Sequence, residues 1–180
     1  MKLVREHINE ISLGGSHLER MGVGMKASIK RWFDAAGISV KDYVINDDLT
    51  IDVIGHLDLS GTSITSLPDN LSVGRSLDLS GTPITSLPDN LSVEGSLNLR
   101  GTQITSLPDN LSVGRSLDLR GTPITSLPDN LSVGGWLDLR RTSITSLPDN
   151  LSVGGSLYLS GTQITFLPKD LKVKGKIKDF

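Results

Sequence analysis

The 180-residue sequence contains no cysteine. That absence excludes disulfides, thiolate metal sites and cysteine nucleophiles together, and it accords with a reducing compartment. Charge of one sign is also lacking: 18 Lys and Arg against 20 Asp and Glu leave a formal net charge of -2. Such a balance provides no global attraction to nucleic acid or to an anionic membrane. No run approaches the roughly eighteen apolar residues that a membrane helix requires. The opening stretch MKLVREHINE alternates charged and apolar residues, unlike the apolar segment of a secretory signal. A soluble, cytoplasmic protein is therefore expected. The three histidines, His7, His17 and His56, are scattered without metal-ligand spacing.

What the sequence has instead is a repeat. From Leu57 the unit LDLSGTSITSLPDNLSVGRS recurs every twenty residues, at Leu77, Leu97, Leu117, Leu137 and Leu157. Apolar columns begin at Leu57, Leu59, Ile64, Leu67, Leu71 and Val73 and hold in every unit. A column that never varies within one chain is one that stacks on itself. L-x-L places two leucines on one face of an extended segment, because strand side chains alternate. One such strand per unit predicts parallel strands about 4.8 Å apart, and six units a sheet roughly 29 Å long. The step Leu-Pro-Asp-Asn suits a type I turn with proline in second place. Gly61 and Thr62, with their equivalents, mark another corner. Twenty residues leave no room for a full helix on the return side, so extended chain or a short 3₁₀ turn is expected there.

The ends differ from the repeats, as a solenoid requires of its caps. Residues 1–24 are read as an N-terminal segment, partly helical or flexible, with a short helix conceivable over 2–11. Residues 25–56 are read as a cap. Within it, 27–36 places Ile29, Trp32, Phe33 and Ala36 on one helical face, and Gly37 follows as a stop. Short strands are expected at 43–45 and 49–53 around Asn46-Asp47-Asp48. Ile51 and Val53 fall in register with Leu71 and Val73, which makes this a degenerate leading unit. Six repeats then occupy 57–176, and 177–180 closes the chain. Lys172, Lys174, Lys176 and Lys178 in the last unit read as protection of an exposed strand edge.

The stretch LPDNLSVGRSLDLSGTPITSLP at 67–88 resembles the short bacterial type of leucine-rich repeat, L-x-x-L-x-L-x-x-N-x-L-x-x-L-P. The resemblance runs from Leu57 to about Ile177. It implies a solenoid with a parallel β-sheet on one face and extended or 3₁₀ return segments; a generic parallel β-solenoid is the alternative. The family's asparagine is replaced by Thr62 and its equivalents, so a hydroxyl ladder in place of an asparagine ladder is one outcome. The whole chain is also similar to bacterial and bacteriophage repeat proteins with a comparable segment before the repeats. That likeness implies a phage or bacterial origin, hence a bacterial or infected host cell, and says nothing of an activity.

Departures from the repeat gather on the outward columns of the strand face. Trp136 interrupts a column of serines; Asp138 is followed by Arg140, and Arg141 stands where the other units carry glycine. Tyr158 lies one unit after Asp138, while Arg100 and Arg120 precede Arg140 in its column. Aromatic residues and arginine dominate interface hot spots. Trp136, Asp138, Arg140, Arg141, Tyr158, Arg120 and Arg100 are accordingly the candidate partner-binding residues. Arginines stacked about 4.8 Å apart repel one another unless offset. Asp118 and Asp138, two residues away on the same face, are the natural counterions. The aspartate row from Asp69 to Asp149 reads as turn chemistry, since aspartates in line do not enclose a calcium ion. Serines without a partnered base, and Gly22-Val23-Gly24 alone, support no catalysis. The expectation is a monomeric, non-enzymatic protein-binding module without metal or cofactor, whose partner is an unidentified protein rather than nucleic acid or membrane. The alternative is a structural or assembly component, such as part of a phage particle, that docks through its N-terminal segment.

Overall fold

The computed structural model describes residues 15–39 and 41–178. The expected helix over 2–11 and the position of His7 lie outside the described residues. A helix α1 (Gly15–Ala35) opens the structure. Its end follows from the sequence. Gly37 takes φ +74°, the Gly37 N–H donates to the Asp34 carbonyl, and the Ile38 N–H reaches back to Phe33. This is a Schellman stop, in which a left-handed glycine lets the last carbonyls find donors. The start was not legible, because Gly22 and Gly24 resemble breakers. Each glycine costs only about 1 kcal/mol in a helix interior, less than the nucleation already secured by packing at the other end.

The apolar face predicted for this helix is the one that packs. Phe33 is fully buried and stacks on Tyr43 at 3.9 Å, with Trp32 edge-on to Phe33 at 5.0 Å. Strands β1 (Tyr43–Ile45) and β2 (Ile51–Val53) form an antiparallel hairpin, and β2 pairs in parallel with the first full turn, Ile51 opposite Leu71 and Val53 opposite Val73. Helix and hairpin thus close the leading end of the solenoid.

Each later turn contributes two short strands, β3 (Leu57–Asp58) and β4 (Leu71–Val73) in the first and so on to β13 (Leu157–Tyr158) and β14 (Lys172–Val173), and β15 (Ile177–Lys178) follows alone. The even-numbered strands, with β1 at the edge, form an eight-stranded sheet, and the odd ones from β3 a seven-stranded sheet. The chain is therefore a parallel β-solenoid, with one N-terminal helix among the described residues. The expected strand face is the seven-stranded sheet; the extended return side carries a second ladder, in which the Leu71 and Val73 columns stack. Residues 63–68 and their equivalents form the third, strand-free side. Leucine, isoleucine and valine columns fill the interior from Leu57 to Leu159, whereas Ile164, Leu167, Leu171 and Val173 in the last turn are half-buried.

The corners differ from expectation in two ways. The Leu111 N–H donates to Pro108, and Leu131, Leu151 and Leu171 repeat the bond. Proline is therefore first in the turn, and Asp-Asn supply its central pair, replaced by Lys169-Asp170 in the last. Asn70, Asn90 and Asn130 take positive φ, which asparagine tolerates better than most side chains. At the glycine corner no threonine ladder forms between turns. Each hydroxyl from Thr62 to Thr142 donates to the leucine carbonyl three residues earlier in its own turn, at 2.6–2.8 Å. The carbonyl within the same turn is simply nearer.

Among the described residues no helix is long and apolar enough to cross a membrane. Nor do they hold a group of three or more His, Asp or Glu placed for a metal ion.

Candidate functional site

The strand face is built on two polar ladders. In the serine column, the Ser96 N–H donates to Ser76 Oγ, Ser116 to Ser96, Trp136 to Ser116, and Lys176 to Ser156, at 3.1–3.3 Å. These hydroxyls knit successive turns together. Trp136 receives the ladder but has no hydroxyl to pass it on, and the residue is 38% exposed. Read from sequence alone the column looked like variable surface. Much of it is structural, and Trp136 breaks it.

The second ladder is the Asp/Asn column. Asp58, Asp78, Asn98, Asp118 and Asp138 each accept the backbone N–H two residues on, at 2.8–3.1 Å. This local turn bond is one that short acidic and amide side chains make readily. At Asp58 the Ser60 hydroxyl and N–H hold the carboxyl below its ordinary range. Asn98 donates its amide to Asp78 at 2.9 Å.

Asp118 and Asp138 go further and are buried. Arg120 Nε donates to both Asp118 oxygens, at 2.9 and 3.0 Å, and Nη2 adds a third bond to Oδ2. Arg140 repeats the fork on Asp138, with Nε at 2.9 and 3.1 Å and Nη2 at 2.6 Å. Arg120 Nε also lies 3.4 Å from Asp138 Oδ2. The ion pairs form a chain across two turns, which resolves the repulsion expected of stacked arginines. Hydrogen bonding to Asp118 holds the Arg120 guanidinium above its already high pKa. Arg140 in addition lies 5.1 Å from the centre of the Tyr158 ring. Lys178 Nζ approaches the same ring at 4.9 Å. That lysine was read only as edge protection. It stands one unit after Tyr158 in the same column, a signal that the repeat already carried.

Arg100, Arg120, Arg140 and Arg141, all singled out from sequence, line one open groove of ≈ 410 Å³ with Gly101, Gly121 and Ser160. Tyr158 sits beside it under Arg140, and Trp136 lines no part of it. The seven candidates thus resolve into an arginine groove with Asp138 as its buried counterion and Tyr158 at its flank, and a separate exposed tryptophan. Arg141 is held at φ +58°, where Gly61, Gly81, Gly101, Gly121 and Gly161 stand in the other turns. A side chain in that left-handed region costs roughly 1–2 kcal/mol.

No protein-family model, curated protein or solved structure matches the chain.

Proposed function

We propose that this solenoid is a non-enzymatic protein-binding module that engages its partner through the seven-stranded face. We also propose that it is a variant of the short leucine-rich repeat, of bacterial or phage origin, working as a monomer in the cytoplasm. The observation that carries the binding reading is the grouping of departures. In a chain whose turns are otherwise near copies, four arginines converge on one groove beside Tyr158, and one tryptophan opens a structural ladder two residues before Asp138. Both departures cost stability: Arg141 holds a strained backbone, and Trp136 removes a ladder acceptor. Features that oppose folding and cluster on one exposed face favour binding as their reason. The fold itself contributes less to this reading, since solenoids host many unrelated functions. The alternative is docking through residues 1–24, of which 1–14 lie outside the described residues.

The test is retention of proteins from the cell that makes the chain, with the wild type compared to Trp136→Ser. Serine is what the sister turns carry, so the variant keeps the fold. A protein held by the wild type and lost by Trp136→Ser, at unchanged melting temperature, supports the module. Equal retention by both, with loss only on deleting residues 1–24, overturns it in favour of an assembly component. Arg140→Ala is unsuited to this comparison, because it strands the buried Asp138.

A further inference from the structure

We infer that the arginine groove receives an oxyanion group, a phosphate or clustered carboxylates, carried on a peptide segment of the protein partner. The inference rests on the protein-binding reading and adds the chemistry of the ligand.

The charges in the groove do not balance. Four guanidiniums stand there against two carboxylates, Asp118 and Asp138, and each carboxylate is engaged by a bidentate fork. The turn of Arg100 carries Asn98 where its neighbours carry aspartate, and the Asn98 amide is turned toward Asp78. Arg100 therefore has no carboxylate from its own turn. Arg141 has no ion-pair partner among the described residues. Two positive charges are left in surplus, in a chain whose net charge is -2.

The geometry suits an oxyanion. Arg100 stands one turn, about 4.8 Å, from Arg120, and Arg141 directly follows Arg140. Each surplus guanidinium thus has an anchored neighbour with which to share the oxygens of one phosphate or carboxylate, while Arg100 and Arg141 themselves stand two turns apart. The planar fork of arginine matches both groups. Gly101 and Gly121, which line the groove between the arginines, are exposed and present no side chain there. Ser160 adds a hydroxyl donor at one end. Asp118 and Asp138 anchor Arg120 and Arg140 from below, so half of the cluster is ordered before a ligand arrives, which reduces the entropic cost of binding. Arg141 reaches the groove only by occupying a glycine position, and its charge would be solvated at no strain anywhere else on the surface. A peptide is favoured over nucleic acid because two surplus charges neutralise too few phosphates for the counterion release that drives polynucleotide binding.

Arg100→Ser with Arg141→Gly tests the inference, since both changes install the residue that sister turns already carry. Titration calorimetry on the full chain, at constant ionic strength, compares a phosphoserine peptide, its unphosphorylated form, hexaglutamate and inorganic phosphate. Saturable binding of the phosphoserine peptide or hexaglutamate, at least tenfold weaker in the double variant, supports it, and the stronger of the two ligands identifies the source of the oxyanion. Equal binding by wild type and variant overturns it. So does a response matched by chloride, or a single-stranded oligonucleotide bound more tightly than either peptide. If cellular proteins are lost by Trp136→Ser yet kept by the double variant, and no acidic peptide binds, the module reading stands and the oxyanion reading falls.

Discussion

Replacing Arg140 with alanine is the perturbation that most directly separates structure from binding on this face. Asp138 is 2% exposed and accepts three bonds from the Arg140 side chain. Removing one partner of a fully buried ion pair costs about 3–5 kcal/mol. Here the loss is smaller for three reasons. The Arg140 side chain is 37% exposed, so truncating it admits water to Asp138. The Arg140 backbone N–H continues to donate at 3.1 Å. Arg120, 3.4 Å away, shifts part of its fork toward Asp138. A destabilisation of about 1–3 kcal/mol follows. Urea unfolding at pH 7 reads it as a fall in midpoint, with the slope checked because long repeat arrays can depart from two-state behaviour. A cycle with Asp138→Asn isolates the pair. Asparagine is tolerated in this column at Asn98, where it keeps the turn bond to the N–H two residues on. The coupling energy should exceed about 1 kcal/mol, above the range of exposed ion pairs. A single-variant loss below about 0.3 kcal/mol, with coupling below about 0.5 kcal/mol, would refute the claim that the pair is part of the core.

Arg141→Gly should stabilise the protein by roughly 1 kcal/mol, since it removes left-handed strain at the corner at the cost of glycine's extra unfolded-state freedom; a lower urea midpoint would contradict this. Phe33→Ala removes the ring stacked on Tyr43 and should cost about 3–5 kcal/mol, with the loss of amide-exchange protection greatest in the first turns. Protection that falls uniformly, or not at all, would show that α1 does not cap the solenoid. Hydrogen bonds from Ser60, Lys26 and Thr50 lower the pKa values of Asp58, Asp47 and Asp48 respectively. Their stabilising contribution is therefore complete above the ordinary carboxylate value of about 4 and is lost as pH falls through the lower folded values. Melting temperature should hold from pH 7 toward 5 and decline below about 4, and Asp58→Asn should make that decline shallower.

Much of the architecture was readable because a repeat presents the same physical problem six times. A column such as Leu57 to Leu157 can remain leucine in every turn only if each side chain packs on its own copy, and all of these are buried. The helical face of Ile29, Trp32, Phe33 and Ala36 and the stop at Gly37 were equally legible, since spacing and backbone preference are local. The beginning of α1 and the frame of the Pro-Asp-Asn turn were not. The helix start is hidden by Gly22 and Gly24, which resemble breakers, and the turn frame depends on which hydrogen bond is nearest in three dimensions. The candidate site was readable as departures from the repeat, and four of those seven residues line one groove.

Local chemistry thus determined the period, the inward columns, the cap helix face and the positions that break the pattern, because all of these follow from side-chain alternation and self-stacking along one chain. The tertiary structure alone decided that the return side forms a second ladder, that serine hydroxyls bond the next turn while threonine hydroxyls bond their own, and that Asp118 and Asp138 are buried under arginine. The threonine bonds and the arginine forks span only two or three residues of one turn, whereas the second ladder, the serine bonds and the burial of the aspartates depend on distances between atoms twenty residues apart. Stacking sets those distances, and no single unit contains them.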